Sequence, residues 1–553
     1  MNDFKVLSLM GTYYWKNWVL YTIIFLIVSI SPLVKYFYLP YKYGEVFTKI
    51  RGSSSNFIKY LKTLFVLIVI LQGAFTLGPY LVTRNSVYFT DFMIHRVYQY
   101  IYDNSIYNYN NLNVSELVIK IAKMNYFSNK FYYFIRELFT FSIIPLVTLT
   151  GYCYINLPPV FFKVMCVFSL LVLYVQYINV SLSKVELTKK EKFFDILVGQ
   201  IGDSLQNLET IHIFDSLGFD LKYIKTFFSS FLKQHIKANL LITGFDAISR
   251  AMVVGLYVIM HSLLFQAYRE KQVSTEKFLR HFLVFNQSII ILEALGTYSK
   301  AISELFGEME EINNYFKKTV PPVVQNIRSG RNRFRNGVIE VRNVSYQYSQ
   351  KNKIALKNVS LKIQPGEKIA FVGHSGSGKS TMAKLLTKFL PLTVGSITIN
   401  GDDICQLSLK EIKRNIFFIP QNPRLFNRTL YHNITYSIKN PPSAKEIISV
   451  IENYKLDVVK KIFKEKMNQP VGVDGSLLSG GQRQIVWLLR AMFNLSPIIV
   501  MDEPTASLDP KLKRQMIEII KKVTVGKTVI LISHDDIDRD FRKITFHKGQ
   551  VIN

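Results

Sequence analysis

Eight consecutive residues, Gly373-His374-Ser375-Gly376-Ser377-Gly378-Lys379-Ser380, hold the densest chemistry in the chain. They fit GxxxxGK[ST], after the apolar run Ile369-Ala370-Phe371-Val372 and before a helix-forming stretch, 382–389. Strand, glycine loop and helix form the arrangement that wraps polyphosphate. Glycines let backbone N–H groups approach the oxygens, and the helix N-terminus adds positive potential. Lys379 is placed to reach the β- and γ-phosphates and Ser380 to ligate Mg²⁺. Gly373, Ser375, Gly376, Gly378 and Thr381 complete the predicted cradle. A glycine turn with no ligand is the bland alternative, and the flanking strand and helix argue against it.

Two further segments supply what a phosphate cradle lacks. Ile498-Ile499-Val500-Met501-Asp502-Glu503 is a buried-strand pattern ending in two carboxylates, at the edge where open α/β sheets bind ligands. Asp502 is expected to hold the Mg²⁺ shell and Glu503 to polarise an attacking water as general base. Helix capping before Pro504 is the competing reading. Leu478-Ser479-Gly480-Gly481-Gln482 opens an apolar helix and gives a second anion-binding N-terminus about a hundred residues after the first.

The elements that position these residues lie in a chain of two textures. From about 338 onward, short β-branched runs alternate with glycine loops and helical stretches, the α/β pattern. Before about 320 the chain is built of long apolar runs rich in large aromatics. The expected division is 1–320, a linker at 321–337 carrying Arg328, Arg331, Arg333 and Arg335, and 338–553. With 553 residues, 49% hydrophobic and 19% charged, the chain is neither disordered nor a single domain. Three cysteines, Cys153, Cys166 and Cys405, exclude a disulfide scaffold, and no Cys/His cluster suggests zinc. The net charge of +29 is shared by both parts, with 33 Lys+Arg against 18 Asp+Glu in 338–553 and 35 against 21 before it. No basic domain stands out, so nucleic acid is not an expected partner.

Six runs near bilayer-spanning length fall at 18–38, 62–82, 131–155, 160–178, 240–268 and 277–298. Backbone polar groups in lipid must bond within their own segment, so each is expected to be a helix. The 155–160 link is short and uncharged, whereas 83–130 and 179–239 are long, charged links. That pattern puts the long links and both termini on the cytosolic side, although Lys42, Lys49 and Arg51 in the first link oppose it. The first run is too long for a secretory signal, and the first 17 residues hold Lys5 and Lys16 but no Arg.

With these motifs in order, residues 338–553 resemble the nucleotide-binding domain of ABC transporters. The resemblance implies ATP and Mg²⁺ as cofactors, with the signature loop of one domain closing on ATP held by its partner. It implies that Tyr348 stacks on adenine and that Gln421, in Ile419-Pro420-Gln421-Asn422-Pro423, senses Mg²⁺ and contacts the membrane part. Ser507-Leu508-Asp509 match the D-loop. His534, after Val529-Ile530-Leu531-Ile532-Ser533, matches the γ-phosphate switch histidine. Two features depart from the pattern. Gly472-Val473-Asp474-Gly475 replaces the usual Gly-Glu-Arg-Gly run, and the chain ends soon after His534.

The helical half resembles the exporter type, which implies a six-helix multi-pass membrane domain before the α/β P-loop domain. In that frame 91–123 and 201–227 are intracellular loops, each with a short coupling helix. Within exporters it resembles the mitochondrial half-transporters tied to iron–sulfur assembly and their heavy-metal-tolerance relatives. The carriers of that match are Leu295-Gly296-Thr297-Tyr298, Met309-Glu310 and Ile211-His212-Ile213-Phe214. Where those relatives have an Asn-Gly-Gln type run on helix five, this chain has Thr243-Gly244-Phe245-Asp246. The resemblance implies a half-transporter pairing with itself or with a related half-transporter in a lipid bilayer. It implies ATP-driven export of an unidentified small molecule, with glutathione- or thiol-linked compounds in a mitochondrion-related organelle as one expectation. Lipid or peptide export is another, and an ATP-gated regulator without transport is a third.

Ionisable residues inside spans usually face a cavity. Asp246 and Arg250, at i and i+4, can pair with each other. Glu293 has no such local partner and is read as cavity-lining.

Overall fold

The computed structural model describes residues 4–552 apart from 35–37, 40, 43–53, 108, 110–111, 140–142, 293–294, 324–336, 349–352, 455–456, 506–507, 509 and 534–539. The chain divides into two compact units, Met1–Pro322 and Val323–Asn553.

The described secondary structure of the first unit is helical. Its three longest helices are Ser54–Asn104, Pro159–Gln206 and Leu217–Arg269, of 51, 48 and 53 residues. At 1.5 Å per residue each runs roughly 70–80 Å, more than twice the hydrocarbon thickness of a bilayer. This corrects the reading of 83–130 and 179–239 as long loops. Most of both stretches continues the flanking helices, with the short helices Val114–Asn125 and Leu208–Ile213 near their turns. Among the described residues, Pro159–Gln206 and Leu217–Arg269 are long and apolar enough to cross a membrane. The run at 131–155 is divided between the helices Phe127–Leu138 and Ile144–Asn156.

Several charges in the helical extensions are paired across elements. The Lys120 ammonium is fully buried, donates to Asp195, and lies 3.0 Å from Glu311. Lys123 bonds Glu191 and Asp195, each at 2.8 Å. Burial opposes the charge on Lys123, but the Asp195 and Glu191 carboxylates outweigh it and raise its pKa. Three helices, Val114–Asn125, Pro159–Gln206 and Leu295–Thr319, are joined by this cluster. Beside it, Gly307 lets two helices approach closely. A Cβ there would sit 2.9 Å from the Leu187 Cβ. Arg250 Nε donates to Asp246 Oδ2 at 3.0 Å, the local pairing that the spacing allows. Glu293 lies outside the described residues.

The second unit carries two sheets. A four-stranded antiparallel sheet has the order β2-β1-β4-β5, with β1 Ile339–Tyr348, β2 Lys353–Ile363, β4 Val394–Ile399 and β5 Asp402–Asp403. A six-stranded sheet has the order β10-β9-β3-β8-β7-β6. Its strands are β3 Lys368–Val372, β6 Ile416–Ile419, β7 Ile498–Asp502, β8 Thr528–Ile532, β9 Arg542–His547 and β10 Gln550–Ile552. Strands β6, β7, β8, β3 and β9 are parallel, and β10 is antiparallel to β9. The central strands read as unbroken apolar runs because both their faces are covered. Phe371, Val500 and Ile532 enter the core shared with the antiparallel sheet. Ala370, Met501 and Leu531 enter the core formed with the helices.

Candidate functional site

Parallel strands end together, so the residues that follow β3, β6, β7 and β8 converge on one edge of the sheet. The glycine loop follows β3, and its helix runs Lys379–Leu386 instead of 382–389. Only glycine suits two of its backbone positions. Gly373 has φ +142°, and a Cβ there would lie 2.2 Å from the Phe546 carbonyl oxygen. Gly378 has φ +108°, and a Cβ would lie 2.6 Å from the Ala355 carbonyl oxygen. Ser375 and Gly376 are exposed at the rim.

The Lys379 side chain is buried and turns back on its own loop, donating to the carbonyls of Gly373 at 2.7 Å and His374 at 3.0 Å. Burial lowers its pKa, against the pull of Glu503 and Asp502. Ser380 Oγ donates to Asp502 Oδ1 at 3.0 Å, which joins the start of the loop's helix to the end of β7. Burial raises the Asp502 pKa, the Ser380 hydrogen bond opposes that, and neighbouring Glu503 adds to it. Next along the chain, Glu503 has φ +51°, a sparsely populated backbone state for a residue with a side chain. Its N–H bonds the Ile532 carbonyl at 3.1 Å, and its Oε2 accepts from Gln421 Nε2 at 2.6 Å. Gln421, Asp502 and Glu503 are thereby brought together from the ends of β6 and β7.

On the same helix as Ser380, Thr381 Oγ1 lies 3.2 Å from the Tyr348 hydroxyl. Ser479 begins the helix Gly480–Phe493 with a reciprocal cap. Ser479 Oγ accepts from the Gln482 N–H at 3.3 Å, and Gln482 Oε1 accepts from the Ser479 N–H at 2.9 Å. Gly480 and Gly481 form its first turn. In the departing run, Val473–Gly475 is a single 3₁₀ turn that follows Gly472, with Asp474 at φ +53°. His534, Ser507 and Asp509 lie outside the described residues.

One group in the loop escaped sequence reasoning. Ser377 Oγ is buried and has no hydrogen-bond partner among the described residues. A serine inside a glycine loop gives no sequence signal of that kind. An orphaned hydroxyl at this position suits a cradle for phosphate oxygen. Ser380 and Asp502 present two hard oxygen donors 3.0 Å apart, a pairing that fits Mg²⁺.

Residues 356–506 match the ABC transporter family. This segment is an ABC transporter domain. Similar proteins include the ATP-dependent lipid A-core flippase of Photorhabdus laumondii, 38% identical over 200 residues, covering 36% of this chain and 34% of that protein. Rat ATP-binding cassette sub-family B member 6 is 30% identical over 338 residues, covering 60% of this chain and 39% of that protein. The chain thus spans little more than a third of the length of these relatives. A solved structure, a bacterial Atm1-family ABC exporter with ATP bound, superposes with a TM-score of 0.83. It is 18% identical and covers 98% of this chain and 95% of that one. The chain therefore has the fold of that exporter, a helical part followed by an α/β part.

Proposed function

We propose that this chain is one half of an ATP-driven exporter and that two copies, or one copy and a related half-transporter, complete two ATP sites. The observation that carries the reading is the convergence of Lys379, Ser380, Asp502, Glu503 and Gln421 at one sheet edge, linked by the Ser380–Asp502 and Gln421–Glu503 hydrogen bonds. Lys379 exchanges its loop carbonyls for the β- and γ-phosphates, aided by the N–H groups of Gly376, Gly378 and Ser380 and by the Ser377 hydroxyl. Ser380, Asp502 and Gln421 would hold Mg²⁺, which would neutralise phosphate charge when bound. Tyr348 stacks on the adenine ring. Glu503 accepts the proton of the attacking water. His534 and Asp509 belong to the same site by their place in the motif order. Ser479, Gly480, Gly481 and Gln482 of one copy close on the triphosphate held by the other.

Closure driven by ATP and reopening after hydrolysis would move the helical parts between two states, since nucleotide binds the closed state better. For the substrate we infer an amphipathic organic compound. A lipid is favoured by the similarity to proteins named as lipid A-core flippases. The thiol-linked reading, with a membrane of a mitochondrion-related organelle as its setting, rests on the sequence resemblance alone. The test is ATPase activity of the full chain in lipid nanodiscs, challenged with lipids, peptides, glutathione and its conjugates. The account expects Mg²⁺-dependent turnover that one of these classes stimulates. No turnover under any condition would overturn it.

A further inference from the structure

The helices Pro159–Gln206 and Leu217–Arg269 run antiparallel, and side-chain bonds fix their register. Gln176 Nε2 donates to Ser249 Oγ at 2.9 Å, Gln234 Nε2 to Glu186 Oε2 at 2.7 Å, and Ser204 Oγ to Asp220 Oδ1 at 3.1 Å. Later residues of one helix thus pair with earlier residues of the other, so the start of the first lies beside the end of the second. That shared end is polar, with Arg269, Glu270 and Lys271 exposed. It falls where the apolar runs at 160–178 and 240–268 leave the bilayer.

On the bilayer side of that end, a groove of about 430 Å³ runs between the two helices. Lys163, Val167 and Leu171 line it from one helix, and Met252, Gly255 and Ile259 from the other. A Cβ at Gly255 would meet nothing within 4 Å, so the wall is hollow there. Leu171 and Met252 are the lining residues nearest the Gln176–Ser249 bond, and Lys163 is the farthest from it on its helix. Lys163 therefore stands at the end of the groove that opens toward water. From there to Leu171 the groove descends roughly 12 Å into the hydrocarbon. Lys163 is the one polar side chain in the lining. It is exposed and has no hydrogen-bond or ion-pair partner among the described residues. A lysine one turn inside a span lays its stem along apolar surface and lifts its ammonium to the interface.

We propose that this groove binds one acyl chain of an anionic phospholipid, with the headgroup phosphate on the Lys163 ammonium. The apolar walls select the chain, and the cation at the mouth selects a negative headgroup. A zwitterionic lipid offers the same chain, so the preference between the two measures the lysine. It should be about fivefold, the effect of one lysine at an anionic surface. The proposal needs only insertion of the helical unit in a membrane. It is independent of ATP hydrolysis and of the exported substrate, so it and the transport reading fail separately.

The test places a fluorophore in the groove of the full chain through Ile259→Trp, at a lining position that is 48% exposed. Trp15→Phe and Trp18→Phe remove the other tryptophans of the helical unit. Trp487, in the other unit, gives a background that is measured in the chain keeping Ile259. The protein is reconstituted in phosphatidylcholine vesicles carrying a minor share of brominated-chain phosphatidylglycerol or, in parallel, brominated-chain phosphatidylcholine. The expected result is several-fold stronger quenching by the brominated anionic lipid. Lys163→Gln, a surface change, should make the two lipids equal while both still quench, and Lys163→Arg should keep the excess. Gly255→Leu fills the hollow and should abolish the excess. Equal quenching by the two lipids with Lys163 and Gly255 in place would overturn the proposal. So would quenching by neither, as when a second copy covers the groove, or an excess that survives Lys163→Gln or Gly255→Leu.

Discussion

Gln421 Nε2 donates to Glu503 Oε2 across 2.6 Å, tying the second residue after β6 to the first residue after β7. A carboxylate that accepts this bond is held at a fixed place on the sheet edge, with its backbone forced to φ +51°. Strain of this kind costs about 1–3 kcal/mol and persists where the surrounding structure over-determines it.

Glu503→Gln is expected to keep ATP binding and to lower steady-state hydrolysis by about 100-fold or more, the size of a general-base contribution. Equilibrium nucleotide binding and phosphate release, measured on the same preparation, check this. Gln421→Ala should weaken hydrolysis less, because it releases the carboxylate without removing it.

Asp502 gives a pH prediction. Burial raises its pKa, so in the nucleotide-free fold the ionised form is disfavoured. The folded state holds the proton more tightly than the unfolded chain. Stability conferred by this group is therefore present below the unfolded carboxylate pKa and is lost as pH rises through the raised folded value. Asp502→Asn should raise the melting temperature of the nucleotide-free protein at neutral pH. It should also abolish the extra stabilisation by Mg²⁺ and ATP, and thermal unfolding with and without ligand reads both.

Gly378 in the glycine loop and Gly366 before β3 are two different kinds of glycine. At Gly378, φ is +108° and a Cβ would crowd Ala355 and Leu356, whereas at Gly366, φ is +74° and a Cβ would meet nothing within 4 Å. Gly378→Ala should cost both stability and nucleotide affinity. Gly366→Ala should cost only backbone strain, about 1 kcal/mol, with affinity unchanged. Unfolding midpoints and ATP titrations of the two variants distinguish the cases.

In the helical unit, Lys120→Met removes a buried cation that faces Asp195 and Glu311. Breaking a buried pair costs about 3–5 kcal/mol, and the loss here should fall at or below the low end of that range because Lys123 still bonds Asp195 at 2.8 Å while Glu311 loses its cation. Adding Asp195→Leu to Lys120→Met should recover part of the loss, and thermal unfolding of the single and double variants tests this.

The convergence of the candidate site was legible because its signals are local. Gly373 to Ser380, Asp502 and Gln421 announce themselves by residue type beside apolar strands, and the parallel sheet brings them to one edge. The i, i+4 pairing of Asp246 with Arg250 was legible for the same reason. The helical extensions were not. Lys120, Lys123, Glu191 and Asp195 look like loop charges in sequence, and only packing shows that they neutralise one another between helices. The inward turn of Lys379 and the orphaned Ser377 hydroxyl also depend on backbone conformation that residue types do not encode.

The most direct measurement of the central claim is disulfide crosslinking between Ser375→Cys and Ser479→Cys. It would be made in a Glu503→Gln chain freed of Cys153, Cys166 and Cys405 and held in nanodiscs. The account predicts a covalent dimer that forms with ATP and Mg²⁺ and not without nucleotide. A chain that binds ATP, hydrolyses it normally when Glu503 is restored, and never yields that crosslink would contradict it.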